Sequence, residues 1–409
     1  MAGGPGNIRA TASPLKWWVH IIGCPMPVRA TKRGAQRTPL RRDCDVLVCG
    51  ASFAGLAVAR ELAGTGARVL VIDRYEIGER QTSACGIPTG WLEALDLGGS
   101  LRQTFDELVV HTPWTTARWK LPWTFSTFDY RELCALLWDQ TQPSNAEFET
   151  ATVSGRDGST VHTDRGDLTA PLVIDALGWR RVLSNETPIQ PPNARLSRGL
   201  EVHPYGAGEE LELWIDAKYI RAGYSWSFPA GEELRVGVGS FWPSHRVKEP
   251  TVRLAGDLGL PPEGYQGNWI PHQLRPAVED GVFFVGDSAG HCLPLTAEGI
   301  RTALYFGLAC ARELRPVLAG KATRADALAR YRAFSDAHER KYRWLLNTQR
   351  AVGRLTPSRA ITVMARTMAS ERFCTWAFNH YLEIAPPSYV SESPGSRRAS
   401  VHIPASAAA

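Results

Sequence analysis

An α/β fold, α+β overall, with a parallel-sheet unit interleaved with an antiparallel sheet and followed by helices, is predicted by three observations. Between Asp45 and Asp73 an apolar run, a small-residue turn, apolar residues at helical spacing and a second apolar run follow one another. Residues 199–241 instead alternate with period two over three segments, Glu210 to Ile215, Ala222 to Phe228 and Leu234 to Phe241. Residues 322–384 return to helical spacing, with Leu328, Tyr331, Phe334, Tyr342, Leu345 and Leu346 among basic residues. A buried βαβ unit, a sheet with one covered face and a helical cap account for the three patterns.

The first 42 of the 409 residues hold eight Lys or Arg and no acid. They read as a basic, disordered leader, and Ser391 to Ala409, rich in Ser, Pro and Ala, as a disordered tail. The net charge of +5 therefore belongs to the leader, and the remaining chain is net negative. That balance excludes nucleic acid as the partner of the folded body. Eight cysteines without a C-x-x-C pair or a His-spaced ligand pattern imply no metal site and fit a reducing cytoplasm. No apolar run is long enough to span a bilayer, so a membrane contact, if there is one, is peripheral.

Val46 to Cys49 forms the first predicted strand, Gly50 to Gly55 the turn, and Leu56, Ala57, Ala59, Leu62 and Ala63 the inward face of the helix. Val69 to Ile72 is the second strand and closes on Asp73. Strand, glycine turn, helix, strand and terminal acid within about 30 residues is the dinucleotide-binding fingerprint. The amides opening the helix, at Phe53 and Ala54, would hold a pyrophosphate, and Asp73, followed by Arg74, a ribose hydroxyl. Ser52 stands where the pattern has its middle glycine. It is small and adds a hydroxyl.

After Asp73, Cys85 and Gly86 precede a short helix from Trp91, and Leu108 to Trp123 reads as strands. Phe128 to Trp138 is helical and carries Arg131, a candidate phosphate contact. A meander then ends in a buried strand delivering Asp175 and Gly178. In the antiparallel region Tyr224, Trp226 and Phe228 share one strand face and run into Pro229. Gly237 and Gly239, two glycines in a strand, imply that something approaches the backbone closely.

The second anchor is Gly281 to Leu304: an apolar strand ends in Gly286 and Asp287, a loop passes Pro294, and Glu298 and Gly299 open a helix at Ile300. Asp287 is placed to accept ribityl hydroxyls, and the helix N-terminus offers partial positive charge to the anionic edge of a reduced flavin. Together with the N-terminal fingerprint this points to FAD. No second glycine fingerprint is present, so the reductant, NAD(P)H or a reduced carrier protein, is expected to bind transiently.

Gly286-Asp-Ser-Ala-Gly290 with Pro294-Leu-Thr-Ala-Glu298-Gly299-Ile300 resembles the cofactor loop of the geranylgeranyl reductase family. That family belongs to the para-hydroxybenzoate hydroxylase-like flavoproteins. Tyr224-x-Trp226-x-Phe228-Pro229, seven residues before Gly237-x-Gly239, is similar to that family's substrate-pocket signature, and Cys85-Gly86 to its active-site Cys-Gly. The chain departs from the pattern at Ser52, at Ala297 where a glycine is common, and at His291 where an apolar residue is usual.

The resemblance implies a Rossmann-like FAD-binding domain formed by residues 43–180 and 270–320, with part of the substrate domain inserted near 85–128. Residues 181–269 would be an antiparallel-sheet substrate domain, 321–388 the helical C-terminal region and 389–409 the tail. It also implies reduction of carbon–carbon double bonds in a prenyl chain by hydride from reduced flavin, with Tyr224, Trp226, Phe228, Pro229, Gly237 and Gly239 at the pocket. Cys85 and His291 are the catalytic candidates. A flavin monooxygenase or halogenase, which shares the FAD domain, is the competing reading.

Overall fold

The computed structural model describes residues 38–40 and 43–391, apart from 82, 143–144, 187–188 and 356–358. Strand β1 (Val46–Cys49) is buried along its whole length and leads through the small-residue turn into α1 (Phe53–Glu61). Strand β2 (Val69–Asp73) returns parallel to β1. Around this pair a six-stranded sheet runs in the order β16 (Val278–Glu279), β17 (Val282–Phe284), β10 (Leu172–Asp175), β1, β2, β6 (Ala146–Thr150). Its strands are parallel except for the edge strand β16.

Helix α5 (Ile300–Leu318) crosses α1 at Gly307, where an added Cβ would lie 2.7 Å from the Ala54 carbonyl oxygen and 2.9 Å from Ala57 Cβ. Only a glycine lets the two helices meet so closely. The core of this layer holds Leu47, Leu56, Ile72, Phe283, Phe284 and Phe306.

The second sheet has eight strands in the order β15 (Gln266–Pro271), β11 (Leu196–Val202), β14 (Glu233–Ser240), β13 (Gly223–Ala230), β12 (Glu212–Trp214), β4 (Leu101–Thr112), β5 (Thr115–Phe128), β3 (Gly86–Pro88). All neighbours are antiparallel except β12 and β4. The three alternating segments of 199–241 thus become neighbours, as period two requires. The pair β4 and β5 is longer than its sequence signal, and β7 (Val153–Asp157), β8 (Thr160–Thr163) and β9 (Gly166–Thr169) form a separate meander whose last strand the pattern missed.

The short helix α2 (Thr89–Ala94) and the ten-residue helices α3 (Tyr130–Asp139) and α4 (Lys248–Asp257) connect these elements. Beyond α5 come α6 (Arg324–Asp336), α7 (Glu339–Leu355), α8 (Arg359–Met368) and α9 (Glu371–Leu382). Residues of α8 and α9 cover one face of the eight-stranded sheet, where Ala365 and Cys374 join Phe105, Val110, Trp119 and Leu121 in one apolar cluster. No helix among the described residues is long and apolar enough to cross a membrane.

Two boundaries need correction. Within the leader, Leu40 is buried in the main core and its N–H donates to the Arg165 carbonyl at 2.7 Å, so the ordered body begins before Asp43. At the other end Tyr389 is buried, its ring centroid 4.5 Å from that of Tyr305, and Arg312 donates to the carbonyls of Tyr389 and Val390. The ordered body therefore includes residues assigned to the tail. Residues 1–37, 41–42 and 392–409 lie outside the described residues.

Candidate active site

The carboxyl ends of β1, β2, β10 and β17 deliver the turn residues, Asp73, Ala176 and Gly286 to one end of the parallel sheet, the usual place for a ligand in an open α/β sheet. Gly50 has φ +113°, and a Cβ there would lie 2.3 Å from the Ala176 carbonyl oxygen. A Cβ on Gly55 at its ideal position would overlap the Gly50 carbonyl, so α1 starts directly on the turn. Its N-cap, Ser52, makes no side-chain cap, leaving first-turn amides available for an anion. Phe53 and Ala54 lie in this turn, with the Phe53 ring edge-on to Tyr130 at 5.4 Å.

Ser52 has a reason to be there: its Oγ accepts the Tyr130 hydroxyl at 3.2 Å, tying the turn to α3. Asp73 accepts the Ala51 amide at 2.8 Å on one oxygen and the Tyr75 amide at 3.0 Å on the other. Each oxygen keeps a further lone pair for a ribose hydroxyl. Burial pushes this carboxyl above the usual range, against the pull of those amides. Arg74 and Arg131 are both exposed; the first lies over the Tyr75 ring, and the second packs its backbone on Gly78.

Gly286, at φ +62°, joins the second anchor to the first, because a Cβ there would stand 2.9 Å from Ala54 Cβ. Asp175 holds the following turn by accepting the Ser288 hydroxyl at 2.6 Å and the amides of Leu177 and Leu183. Asp287 accepts no side-chain hydrogen bond among the described residues and faces Gly299, whose ideal Cβ position is 3.6 Å from Asp287 Oδ1. Burial raises Asp287 to about 6, opposed by Arg275.

The loop from Pro294 to Gly299 leads into the N-terminus of α5 at Ile300. Leu295 and Ala297 sit at φ +71° and +53°, so the position where a glycine is common demands left-handed backbone of an alanine. The loop is pinned from several sides. Gln349 accepts the Leu295 amide at 2.8 Å, Tyr224 donates to the Thr296 carbonyl, Tyr381 bonds Thr296 and Glu298, and Arg301 bonds Glu298 at 2.6 Å.

Tyr224, Trp226 and Phe228 share one face of β13; Phe228 packs on the apolar layer under α8 and α9, ring-to-ring with Phe125 at 6.4 Å, and Tyr224 on the cluster of Phe241, Val352 and Ile361. Pro229 follows and its carbonyl accepts the Thr127 hydroxyl at 2.7 Å. What approaches Gly237 and Gly239 closely is the Trp226 indole, whose ring atoms would lie 2.3 and 3.3 Å from added Cβ atoms. Gly199 on β11 extends the same bed, at 3.6 Å. The indole ends at buried Glu201, to which Nε1 donates at 3.2 Å and which also bonds His203 Nε2 at 2.9 Å.

Cys85 has φ +51° and no exposed surface, and its thiol donates to the Ser83 carbonyl at 3.2 Å. Burial raises the thiol well above its usual range, so it stays protonated. Arg235, 1 % exposed, donates to the carbonyls of Ala84 and Phe128 at 2.9 Å each and to that of Cys85, and pairs with Glu233. Gly86 is obligatory against the Phe125 ring, 2.4 Å from an added Cβ.

His291 does not join this group. It is fully buried, stacked on Phe306 at 3.7 Å, with Nε2 3.2 Å from the Ser335 hydroxyl, and burial lowers its pKa well below 6.5. An imidazole that stays neutral is too weak an acid to serve as proton donor at neutral pH, and packing on Phe306 and Ser335 makes His291 a core residue instead. Sequence reasoning also missed Tyr130, Glu201, Arg235, Gln349 and Tyr381. Arg235 alone carried a local signal, since period two puts it on the face of Gly237 and Gly239.

The glycine cradle, the uncapped helix start and two acids at strand ends fit FAD, and residues 43–158 match the family described as FAD binding domain. The chain is an FAD-dependent oxidoreductase. Its likeness within that class is to geranylgeranyl reductases, as the motifs imply. It is 24 % identical over 332 residues to digeranylgeranylglycerophospholipid reductase 3 of Methanosphaera stadtmanae, covering 73 % of this chain and 83 % of the relative. Its fold superposes on a geranylgeranyl bacteriochlorophyll reductase-like protein of Thermoplasma acidophilum with a TM-score of 0.73 at 18 % identity, over 86 % of this chain and 98 % of the other. The same fold extends to PqsL, a probable FAD-dependent monooxygenase of Pseudomonas aeruginosa, with a TM-score of 0.62 at 19 % identity over 79 % and 99 %.

Proposed function

We propose that the chain saturates carbon–carbon double bonds of a prenyl chain carried by a lipid or quinone. The observation that supports this best is the apolar, aromatic layer between the eight-stranded sheet and α8 and α9, with Tyr224 on its border bonded to the Pro294 to Gly299 loop. An extended hydrocarbon needs apolar surroundings of this kind, and an isolated alkene offers no polar handle.

In this reading the turn from Gly50 to Gly55, with the amides of α1, holds the pyrophosphate, Asp73 the ribose and Asp287 the ribityl hydroxyls. Reduced FAD supplies hydride when bound. The N-terminus of α5 would offer its partial positive charge to the anionic edge of the reduced flavin, and Gly299 keeps that end free of a side chain. Trp226, packed on the strand glycines, and the pair Phe228 and Phe125 would supply apolar contacts to the prenyl chain. The second alkene carbon needs a proton. Cys85, protonated in the fold, is the candidate donor, and Arg235 bonds the carbonyl of its turn. NAD(P)H or a reduced carrier protein serves as a transient electron donor.

Purified holoprotein, reduced with dithionite under anaerobic conditions, is mixed with geranylgeranyl lipids. The expected result is reoxidation of the flavin together with a product two hydrogens heavier by mass spectrometry. Product that forms only with oxygen would instead establish the monooxygenase or halogenase reading.

A further inference from the structure

Helices α7, α8 and α9 have two unlike faces. Inward, Ala365, Met368, Cys374 and Phe378 pack on the apolar layer that includes Trp119 and Phe228. Outward, Val363 is 63 % exposed, Trp344 62 %, Trp376 53 %, Leu355 44 % and Phe373 41 %. Phe373 and Trp376 stack on each other at 5.5 Å rather than on the body of the protein. Lys341 donates to the Glu383 carbonyl at 3.1 Å, so the start of α7 is tied to the end of α9. Large side chains left this bare in water mark a surface that meets something apolar.

The charge on the same helices says what that is. Residues 339–382 hold eight Lys or Arg, among them Arg340, Arg350, Arg366 and Arg372, against two acids, Glu339 and Glu371. All eight are exposed, and among the described residues only Arg343 has a carboxylate partner, Glu339 at 3.3 Å. The rest of the chain beyond the leader has a clear excess of acids. Cations are therefore gathered on the one helical layer that also bares indoles. A second copy of the chain would bring two such cationic faces together, which repel. An anionic bilayer offers phosphates to the arginines and an interface to the indoles.

We infer that the outward faces of α7, α8 and α9 dock on an anionic lipid surface, with Trp344, Phe373 and Trp376 at the headgroup level. The inference deepens the prenyl-reductase reading and rests on it in one respect: the lipid chain passes from the bilayer to the layer beneath α8 and α9. Binding itself is measured without turnover.

Full-length holoprotein is sedimented with vesicles of phosphatidylglycerol and phosphatidylcholine, or of phosphatidylcholine alone. Binding is expected with the first and lost by raising the salt from about 0.1 to about 0.5 M, because each basic residue at the surface contributes about fivefold. The pairs Trp344→Ser with Trp376→Ser, and Arg350→Ser with Arg366→Ser, should each weaken partitioning by about tenfold or more. An unchanged flavin spectrum and melting temperature would show that these variants are folded. Equal partitioning of parent and variants overturns the inference and assigns any binding to the basic leader. No preference for anionic vesicles, or a dimer in the parent that the variants lose, overturns it as well. Turnover of a detergent-dispersed prenyl lipid is the separate arm: its absence in the parent refutes the reductase reading while leaving vesicle binding standing.

Discussion

Asp287→Asn should make the flavin-free protein more stable and the flavin-bound one weaker. Burial raises the carboxyl from 3.8 to about 6. A folded pKa above the unfolded one means that ionisation costs the native state. The cost is absent below about pH 4, where both states are protonated, grows between pH 4 and 6, and is complete above pH 6. Two pH units correspond to about 3 kcal/mol, and partial exposure of the site reduces this to about 2 kcal/mol. At about 1.5 °C per kcal/mol for a chain of this size, the neutral isostere should melt about 3 °C higher at pH 7.5. The gap should be about half as large at pH 5. Loss of a charged acceptor should weaken FAD by about tenfold to a hundredfold. Thermal melts of flavin-stripped protein across pH 5 to 7.5, with fluorescence titration of FAD, measure both. A variant that melts at or below the parent at pH 7.5, or a gap that ignores pH, would refute the reasoning.

Gly237→Ala should cost about 1–3 kcal/mol, since its methyl meets the Trp226 ring on one side and Glu201 Cβ at 2.8 Å on the other; FAD content should persist while prenyl turnover falls, as absorbance and product assays would register. Ala297→Gly relieves a left-handed alanine and should raise stability by about 0.5–1 kcal/mol in thermal melts. His291→Gln should leave the pH profile of turnover where it was, because the imidazole is already neutral in the core; a shifted profile would return the residue to the catalytic set. Gly50→Ala should give protein without flavin, read from its visible spectrum, because both its φ of +113° and the Ala176 carbonyl exclude a side chain.

Those features were legible in the sequence to the extent that their causes are local. The unit from β1 to β2 declares itself because strand, turn and helix follow in one stretch, and Gly286 with Asp287 does so for the same reason. Gly237 and Gly239 were legible as places of close approach, but not as to what approaches. The visitor is a side chain of the neighbouring strand, in register through the pairing of Trp226 with Gly237. His291 carries the residue type of a catalyst, and only its packing on Phe306 shows it as core. Tyr130, Gln349 and Tyr381 reach the site from 54 or more positions away in sequence, so no spacing rule announces them.

The bonds from Arg301 to the carbonyls of Tyr381, Leu382 and Ala385 set an order of events in biosynthesis. Trp91, close to the Cys85 turn, donates to the same Ala385 carbonyl at 3.1 Å. Every residue assigned to the cofactor has left the ribosome long before Ala385 has. The site cannot take this shape until Ala385 is in place. A chain cut short before Ala385 should therefore lose flavin binding, because Arg301 and Trp91 would keep no partner there.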